Sequence, residues 1–248
     1  MSLIKTAEEI ALMREGGKLL AQAIAVVVEQ VRPGVSTDEL DQVFTETLRG
    51  LGAEPSFLGY KDYPKSLCTS LGDEVVHGIP GERVLRDGDI IGVDGGARYK
   101  GFCTDMARTI AVGEPSEEVA QLLKVTEEAL DIGIGQMVPG NTLGDIGAAI
   151  QEHAETNGYS VVRALVGHGI GEGVHEEPAV PNFGKPGQDD KLEPGMVLCL
   201  EPMINIGKHD VVMEDDGWTV RTKDGTLSAH FEDTIVVTEG KPEILTRI

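Results

Sequence analysis

The sequence predicts an α+β fold made of two duplicated halves that face one another, so that a site between them collects residues from both. Three observations carry this reading. "VRPGVSTDEL" at Val31 to Leu40 returns as "MVPGNTLGDI" at Met137 to Ile146, each time a Pro-Gly pair, a hydroxyl residue and an apolar helical pattern. "LRDGDIIGVD", ending at Asp94, aligns without gaps to "LEPGMVLCLE", ending at Glu201, and both runs place a carboxylate six residues after a glycine. A third, weaker echo sets "VHGIP" at Val76 to Pro80 against "VHEEP" at Val174 to Pro178, with His77 opposite His175. A period of about a hundred residues is far longer than the roughly 20 to 50 of solenoid repeats. The expected division is therefore one domain over 1–248, with halves at roughly 1–112 and 113–248.

Each element has a local reason. Thr6 followed by Glu9 has the form of a capping box, and Leu20, Ile24, Val27, Val28 and Val31 continue at helical spacing. After Pro33-Gly34, Ser36 and Glu39 form a second box, with Leu40, Val43, Phe44, Leu48 and Leu51 as the buried face and Gly50 or Gly52 as the stop. The apolar runs around Asp94, Glu201 and Glu232 read as strands. "NFGKPGQDDKLEPG" reads as an exposed loop.

Composition narrows the function. The 248 residues carry 42 acidic and 21 basic side chains, a formal charge of −21, which opposes binding to nucleic acid or an anionic membrane and favours a cation as partner. Cys68, Cys103 and Cys199 form no CxxC pair, so neither a disulfide framework nor a thiolate zinc site is indicated, and a reducing cytoplasm fits. No run approaches the roughly 18 apolar residues of a membrane span, and no targeting segment is evident.

The acidic residues sit in unusual places. If the strands flanking "GGARYKGFCT" form a hairpin closing over Tyr99 and Lys100, Asp94 and Asp105 lie directly opposite each other. Like charges so paired cost about 0.2 to 1 kcal/mol, and more when buried, unless a proton or cation lies between them. A slip of one residue would instead send one aspartate to solvent, and spacing alone does not choose. Glu201 and Glu232 interrupt apolar runs, where a buried carboxylate needs a partner and a strand-end position at the surface is the alternative.

The histidines lie in "GHGIGEGVHEEP", Gly167 to Pro178. A phosphate-binding G-x-G-x-x-G fails in both frames, because Gly167 and Gly169 lead to Glu172, and Gly169 and Gly171 lead to Val174. The zinc-protease H-E-x-x-H fails too, since Ala179 stands four residues after His175. What remains is a glycine-rich segment that lets backbone approach a site, with imidazoles available to it or packed as ordinary polar residues. Four carboxylates and one imidazole would satisfy two divalent cations roughly 3.5 to 4 Å apart. Manganese, iron and cobalt suit such a set about as well as zinc, whereas calcium prefers all-oxygen loops.

In order along the chain, Asp94, Asp105, His168, Glu201 and Glu232 resemble the five metal ligands of type I methionine aminopeptidases. The likeness extends through "IKTAEEIALMREGG", "GYKDYPKSLCTS", "VHGIP", "GDIIGVD", "LEPGMVLCLEPM" and "DGWTVRTKDGTLSAHFEDTIVVT". It implies the pita-bread fold, two pseudo-symmetric α/β halves around a dinuclear centre, in the short form without an N-terminal zinc-finger extension. It also implies two divalent ions, cobalt, manganese, iron or zinc, bridged by a hydroxide. Asp94 would bind one ion and His168 the other, Asp105 and Glu232 would bridge, and Glu201 would bind metal and shuttle protons. His175 would stabilise the oxyanion and His77 would contact the scissile amide. Tyr60, Tyr63, Cys68 and Trp218, with His77 and His175, would form the methionine pocket. Phe57 stands where many members have a small residue, and Val174 where many have an aromatic one.

The activity so implied is a cytoplasmic metalloprotease that removes the initiator methionine from nascent chains when a small residue follows. A monomer is expected. Family members meet the ribosome through basic surface, and a charge of −21 argues against that contact here. The competing readings are an Xaa-Pro aminopeptidase of the same fold and, from another class, a non-catalytic binding module on that fold, in which the ligands are lost.

Overall fold

Capping chemistry sets where the helices begin. In the computed structural model, which describes residues 3–248, α1 (Ala7–Gln30) opens at Thr6, whose hydroxyl accepts from the Glu9 amide while the Glu9 carboxylate accepts from the Thr6 amide at 2.7 Å. Ser36 and Glu39 repeat this arrangement before α2 (Thr37–Gly50). Ser116 caps α3 (Glu117–Gly135), and the Asp145 carboxylate takes the Thr142 amide at 2.7 Å before α4 (Leu143–Thr156). The sequence echo carries into structure: α2 and α4 are both 14 residues long, and each follows a Pro-Gly turn.

The strands run in chain order as β1 (Glu54–Pro55), β2 (Leu67–Leu71), β3 (Glu74–Val76), β4 (Ile90–Tyr99) and β5 (Phe102–Ala111) before α3. After α4 come β6 (Ser160–Val161), β7 (Gly167–Gly169), β8 (Glu176–Val180), β9 (Val197–Leu200), β10 (Met203–Asn205), β11 (Val211–Met213), β12 (Val220–Thr222), β13 (Ser228–His230), β14 (Asp233–Val236) and β15 (Glu243–Ile244). One sheet is centred on β4, which pairs with β5 on one side and with β2 and β1 on the other. A second has the order β15-β14-β9-β7-β8, and two small sheets, β13-β10-β6 and β11-β12-β3, complete the set. The gapless alignment holds here as well, since β4 starts at Ile90 and β9 at the matching Val197.

α1 and α2 cover the first sheet around Leu20, Ile24, Phe44 and Val93, and α3 and α4 cover the second around Leu130, Ile150, Leu198 and Ile235. Burying each such side chain contributes about 1.5 to 3 kcal/mol. Of the expected face of α2, Leu40, Phe44 and Leu48 are fully buried, while Val43 and Leu51 are only half-buried. A third cluster mixes both halves, placing Met13, Phe57 and Cys68 against Ile170, Val174 and Cys199. Direct bonds also join the two main sheets. The Thr234 hydroxyl accepts from the Asp105 amide at 2.9 Å and donates to the Asp105 carbonyl at 2.8 Å.

Gly17 shows how closely the parts approach. A Cβ at this position of α1 would lie 2.3 Å from the Leu245 carbonyl oxygen, which is backbone and has little freedom to retreat. Alanine would add about 1 kcal/mol of helix propensity. Overpacking costs about 1 to 3 kcal/mol, so Gly17→Ala is expected to lower the melting temperature by several degrees. An unchanged or raised melting temperature in a thermal scan would show that α1 can shift to make room.

Candidate metal centre

The hairpin of β4 and β5 closes one residue later than the sequence suggests. Lys100 (φ 47°) and Gly101 (φ 95°) form the turn, and Tyr99 pairs with Phe102. Two positive φ values match the right-handed twist of the flanking strands, and glycine at the second position makes this turn easier than Tyr99-Lys100. As a result Asp94 faces Ala107 and Asp105 faces Gly96, so the aspartates are diagonal neighbours and not directly opposed. The displacement is by two residues, which preserves the alternation of faces and keeps both carboxylates on one side.

The second half supplies the remaining groups. Glu232 lies between β13 and β14 and bridges to Ala107, while the Arg108 guanidinium donates to the Glu232 carbonyl at 2.5 Å and to the Asp233 carboxylate at 2.8 Å. Glu201 follows directly on β9, and the buried Asn182 side chain donates to its carbonyl at 3.0 Å. That anchors one end of the loop whose residues 185–191 are exposed. His168 is carried on β7 between Gly167 and Gly169, where added Cβ atoms would lie 2.3 Å from the Cys199 carbonyl and 2.2 Å from the Glu177 carbonyl. Only glycine permits that approach.

Asp94, Asp105 and Glu232 offer oxygens within 4.8 Å of one another. Asp94 Oδ1, Asp105 Oδ1 and Glu232 Oε1 are buried without any hydrogen-bond partner. Burial drives all the carboxyls toward their neutral form: Asp94 is pushed up to about 7, and Asp105, Glu201 and Glu232 are driven well above the carboxylate range by burial first and then by one another's charges. His168 Nδ1 lies 2.9 Å from the Gly169 carbonyl, which can only accept, so the ring hydrogen sits there and the Nε2 lone pair is free. That Nε2 lies 3.5 Å from Glu201 Oε1. Burial, with His175 nearby, lowers the His168 pKa to about 3 and keeps the imidazole neutral. Orphaned oxygens, mutually repelling carboxylates and an available nitrogen lone pair fit divalent cations.

All of the expected metal-binding, catalytic and pocket residues line one cavity of about 180 Å³, on the scale of the ~150 Å³ cavities that admit a benzene-sized group. Tyr63 meets Trp218 edge to face at 5.0 Å, with the Tyr63 hydroxyl donating to backbone carbonyls of Leu67 and Gly78 at 3.1 Å. His175 stacks on Tyr60 at 5.3 Å, its Nδ1 3.0 Å from the tyrosine hydroxyl, and its ring lies 4.2 Å from that of His168. Burial and then the charge of Lys61 hold His175 below the ordinary histidine value. His77 adopts a left-handed backbone (φ 61°) beside Trp218, and burial lowers its pKa to about 4.

Phe57 lines the cavity, whereas Val174 is buried in the mixed cluster and does not reach it. Two neighbours escaped the sequence reading. Cys199 pairs with His168 across β9 and β7, and its sulfur comes within 4.8 Å of ligand atoms on His168 and Glu232. Burial raises that thiol well above its ordinary pKa, so it stays neutral and is a poor ligand. Lys61 also lines the cavity, the only cationic side chain to do so among the described residues.

This fold and this cluster define a metal-dependent peptidase. The chain belongs to metallopeptidase family M24, whose model matches residues 11–239, and membership carries a dependence on divalent metal. Within that family it belongs with the methionine aminopeptidases. It is 50% identical over 248 residues to the methionine aminopeptidase of Clostridium perfringens, covering 100% of both chains. The crystal structure of methionine aminopeptidase from Rickettsia prowazekii matches with a TM-score of 0.97 at 41% identity, covering 98% of this chain and 99% of that one. An Xaa-Pro dipeptidase from Bacillus anthracis matches less closely, with a TM-score of 0.79 at 29% identity over 99% of this chain and 62% of that one. The pita-bread fold implied by the resemblance is the one observed. No helix among the described residues is long and apolar enough to cross a membrane.

Proposed function

We propose that this chain is a methionine aminopeptidase that removes the N-terminal methionine of new polypeptides, preferring a small second residue, and that residues 1–248 act as one catalytic unit. The observation that carries the reading is the convergence of three buried carboxylates, the half-buried Glu201 and a neutral imidazole on a cavity walled by Tyr63, Cys68 and Trp218. Asp94, Asp105, His168, Glu201 and Glu232 would hold two divalent cations, and this donor set accepts cobalt, manganese, iron or zinc. When bound, such cations polarise the peptide carbonyl and make water a nucleophile at neutral pH.

The chain's own groups do the rest. Glu201, at the edge of the cluster with 13% of its side chain exposed, would be ionised once cations offset its acidic neighbours, and as the carboxylate it takes a proton from water and delivers it to the leaving amide nitrogen. The Tyr60 hydroxyl lies 3.0 Å from His175 Nδ1, and in the tautomer in which it donates there the imidazole hydrogen is on Nε2, from which it would stabilise the developing oxyanion. His77 contacts the scissile amide. The thioether packs against the rings of Tyr63 and Trp218 and the sulfur of Cys68. A monomer in the cytoplasm completes the proposal, and the charge of −21 disfavours electrostatic docking on a polyanionic ribosome surface.

Release of amino acid from Met-Ala, Leu-Ala and Ala-Pro dipeptides tests the reading. Methionine should be released from Met-Ala at least about tenfold faster than leucine from Leu-Ala, since an altered apolar side chain in a fitted pocket costs about 1 to 3 kcal/mol. Cleavage of Ala-Pro in preference would move the chain to the proline-specific branch, and no cleavage would favour a binding module.

A further inference from the structure

Lys61 has no role in the mechanism above, yet its side chain lines the mouth of the catalytic cavity. The other ionisable groups lining that cavity are carboxylic acids, neutral histidines, tyrosines and a thiol. Lys61 is exposed, and no carboxylate among the described residues lies within ion-pairing distance of its ammonium. Its Nζ lies 5.3 Å from the centre of the Tyr60 ring, and Tyr60 in turn stacks on His175.

The backbone holds it there. Gly59 (φ 79°), Lys61 (φ 46°) and Asp62 (φ 68°) all lie in the left-handed region, and the loop is closed by the Gly59 amide donating to the Tyr63 carbonyl at 2.9 Å. For the two non-glycine residues this conformation costs of order 1 to 3 kcal/mol each, and it persists only where the surroundings impose it. Tyr60 and the exposed Lys61 line the same cavity as the carboxylates and His175, so a peptide whose first carbonyl lies at the cluster can reach solvent past them. Two extended residues advance a chain about 7 Å, the scale on which a third side chain would come within reach of the rim.

We propose that Lys61 reads the charge of the residue third from the substrate's N-terminus and favours an acidic side chain there. The inference rests on the methionine aminopeptidase reading. The unpaired ammonium attracts a carboxylate and repels a second cation, and it does so at the rim, where such charges act on encounter and binding.

The test compares kcat/KM for Met-Ala-Asp and Met-Ala-Lys, both as C-terminal amides, in the metal-loaded wild type, Lys61→Met and Lys61→Arg. Methionine keeps the length and apolar stem and removes only the charge. The overall charge of −21 acts on both enzymes alike, so the change in the Asp-to-Lys ratio isolates Lys61. The ratio should fall by about fivefold to tenfold in Lys61→Met, stay near the wild-type value in Lys61→Arg, and shrink toward that of Lys61→Met in 1 M salt, where the screening length is about 3 Å. An equal ratio in wild type and Lys61→Met at low salt would overturn the proposal with the enzyme reading intact. Failure of the wild type to release methionine from either peptide would overturn the enzyme reading, and this inference with it.

Discussion

Glu201→Gln is expected to lower kcat by about 10³-fold or more with the fold retained. General acid–base transfer contributes about 10² to 10⁴-fold, and an amide can neither take nor deliver the proton. The substitution also removes a donor oxygen from the cluster, so metal affinity should weaken at the same time. Stability should hold or improve in the metal-free protein, because Glu201 is a buried carboxyl whose burial and neighbours, Asp105 and Asp94, oppose its charge. Circular dichroism and a thermal scan check the fold, and steady-state rates at saturating metal check the chemistry. A variant with full kcat would remove Glu201 from the mechanism.

The two neighbouring histidines should fail in different ways. His168→Ala removes the free Nε2 lone pair in the carboxylate cluster, so metal affinity should fall by more than the roughly 10 to 100-fold typical of losing an outer partner, and rate should fall with it. His175→Ala should leave metal binding within a few-fold and slow turnover by about 10²-fold or more, the scale of losing one oxyanion donor. Their rings lie only 4.2 Å apart, so the contrast depends on orientation and not on distance. Metal titration and kinetics on the same preparations separate the cases. Loss of metal in His175→Ala but not in His168→Ala would reverse the assignments.

What was legible in the sequence follows from the range of the forces involved. The helix starts at Thr6, Ser36 and Thr142 were readable because a cap and its partner are three residues apart. The duplication was readable because it repeats whole phrases, down to the matching strand starts at Ile90 and Val197. The hairpin register was not, although Gly101 carried the signal: a Lys-Gly turn accepts two positive φ values more readily than Tyr-Lys. Cys199 reaches the cluster only through the pairing of β9 with β7, and Asn182 meets the Glu201 carbonyl from a loop that otherwise reads as solvent-exposed. Lys61 looked like any surface lysine, because what distinguishes it is a strained turn at the cavity mouth and the lack of a carboxylate partner. Val174, which stands where many family members have an aromatic residue, fills the seam between the halves beside Ile170 and Cys199.

The central claim is that these five side chains hold cations that carry methionine release. It is tested most directly by stripping the protein with a chelator, adding back manganese, cobalt, iron or zinc in steps, and following bound metal, melting temperature and methionine release from Met-Ala together. The account predicts no release without metal and a rise in activity that tracks occupancy up to two ions per chain. It also predicts a gain of about 2.7 kcal/mol in stability for each site whose free metal reaches a hundred times its dissociation constant. Metal-independent release, or metal binding that leaves both activity and melting temperature unchanged, would contradict it.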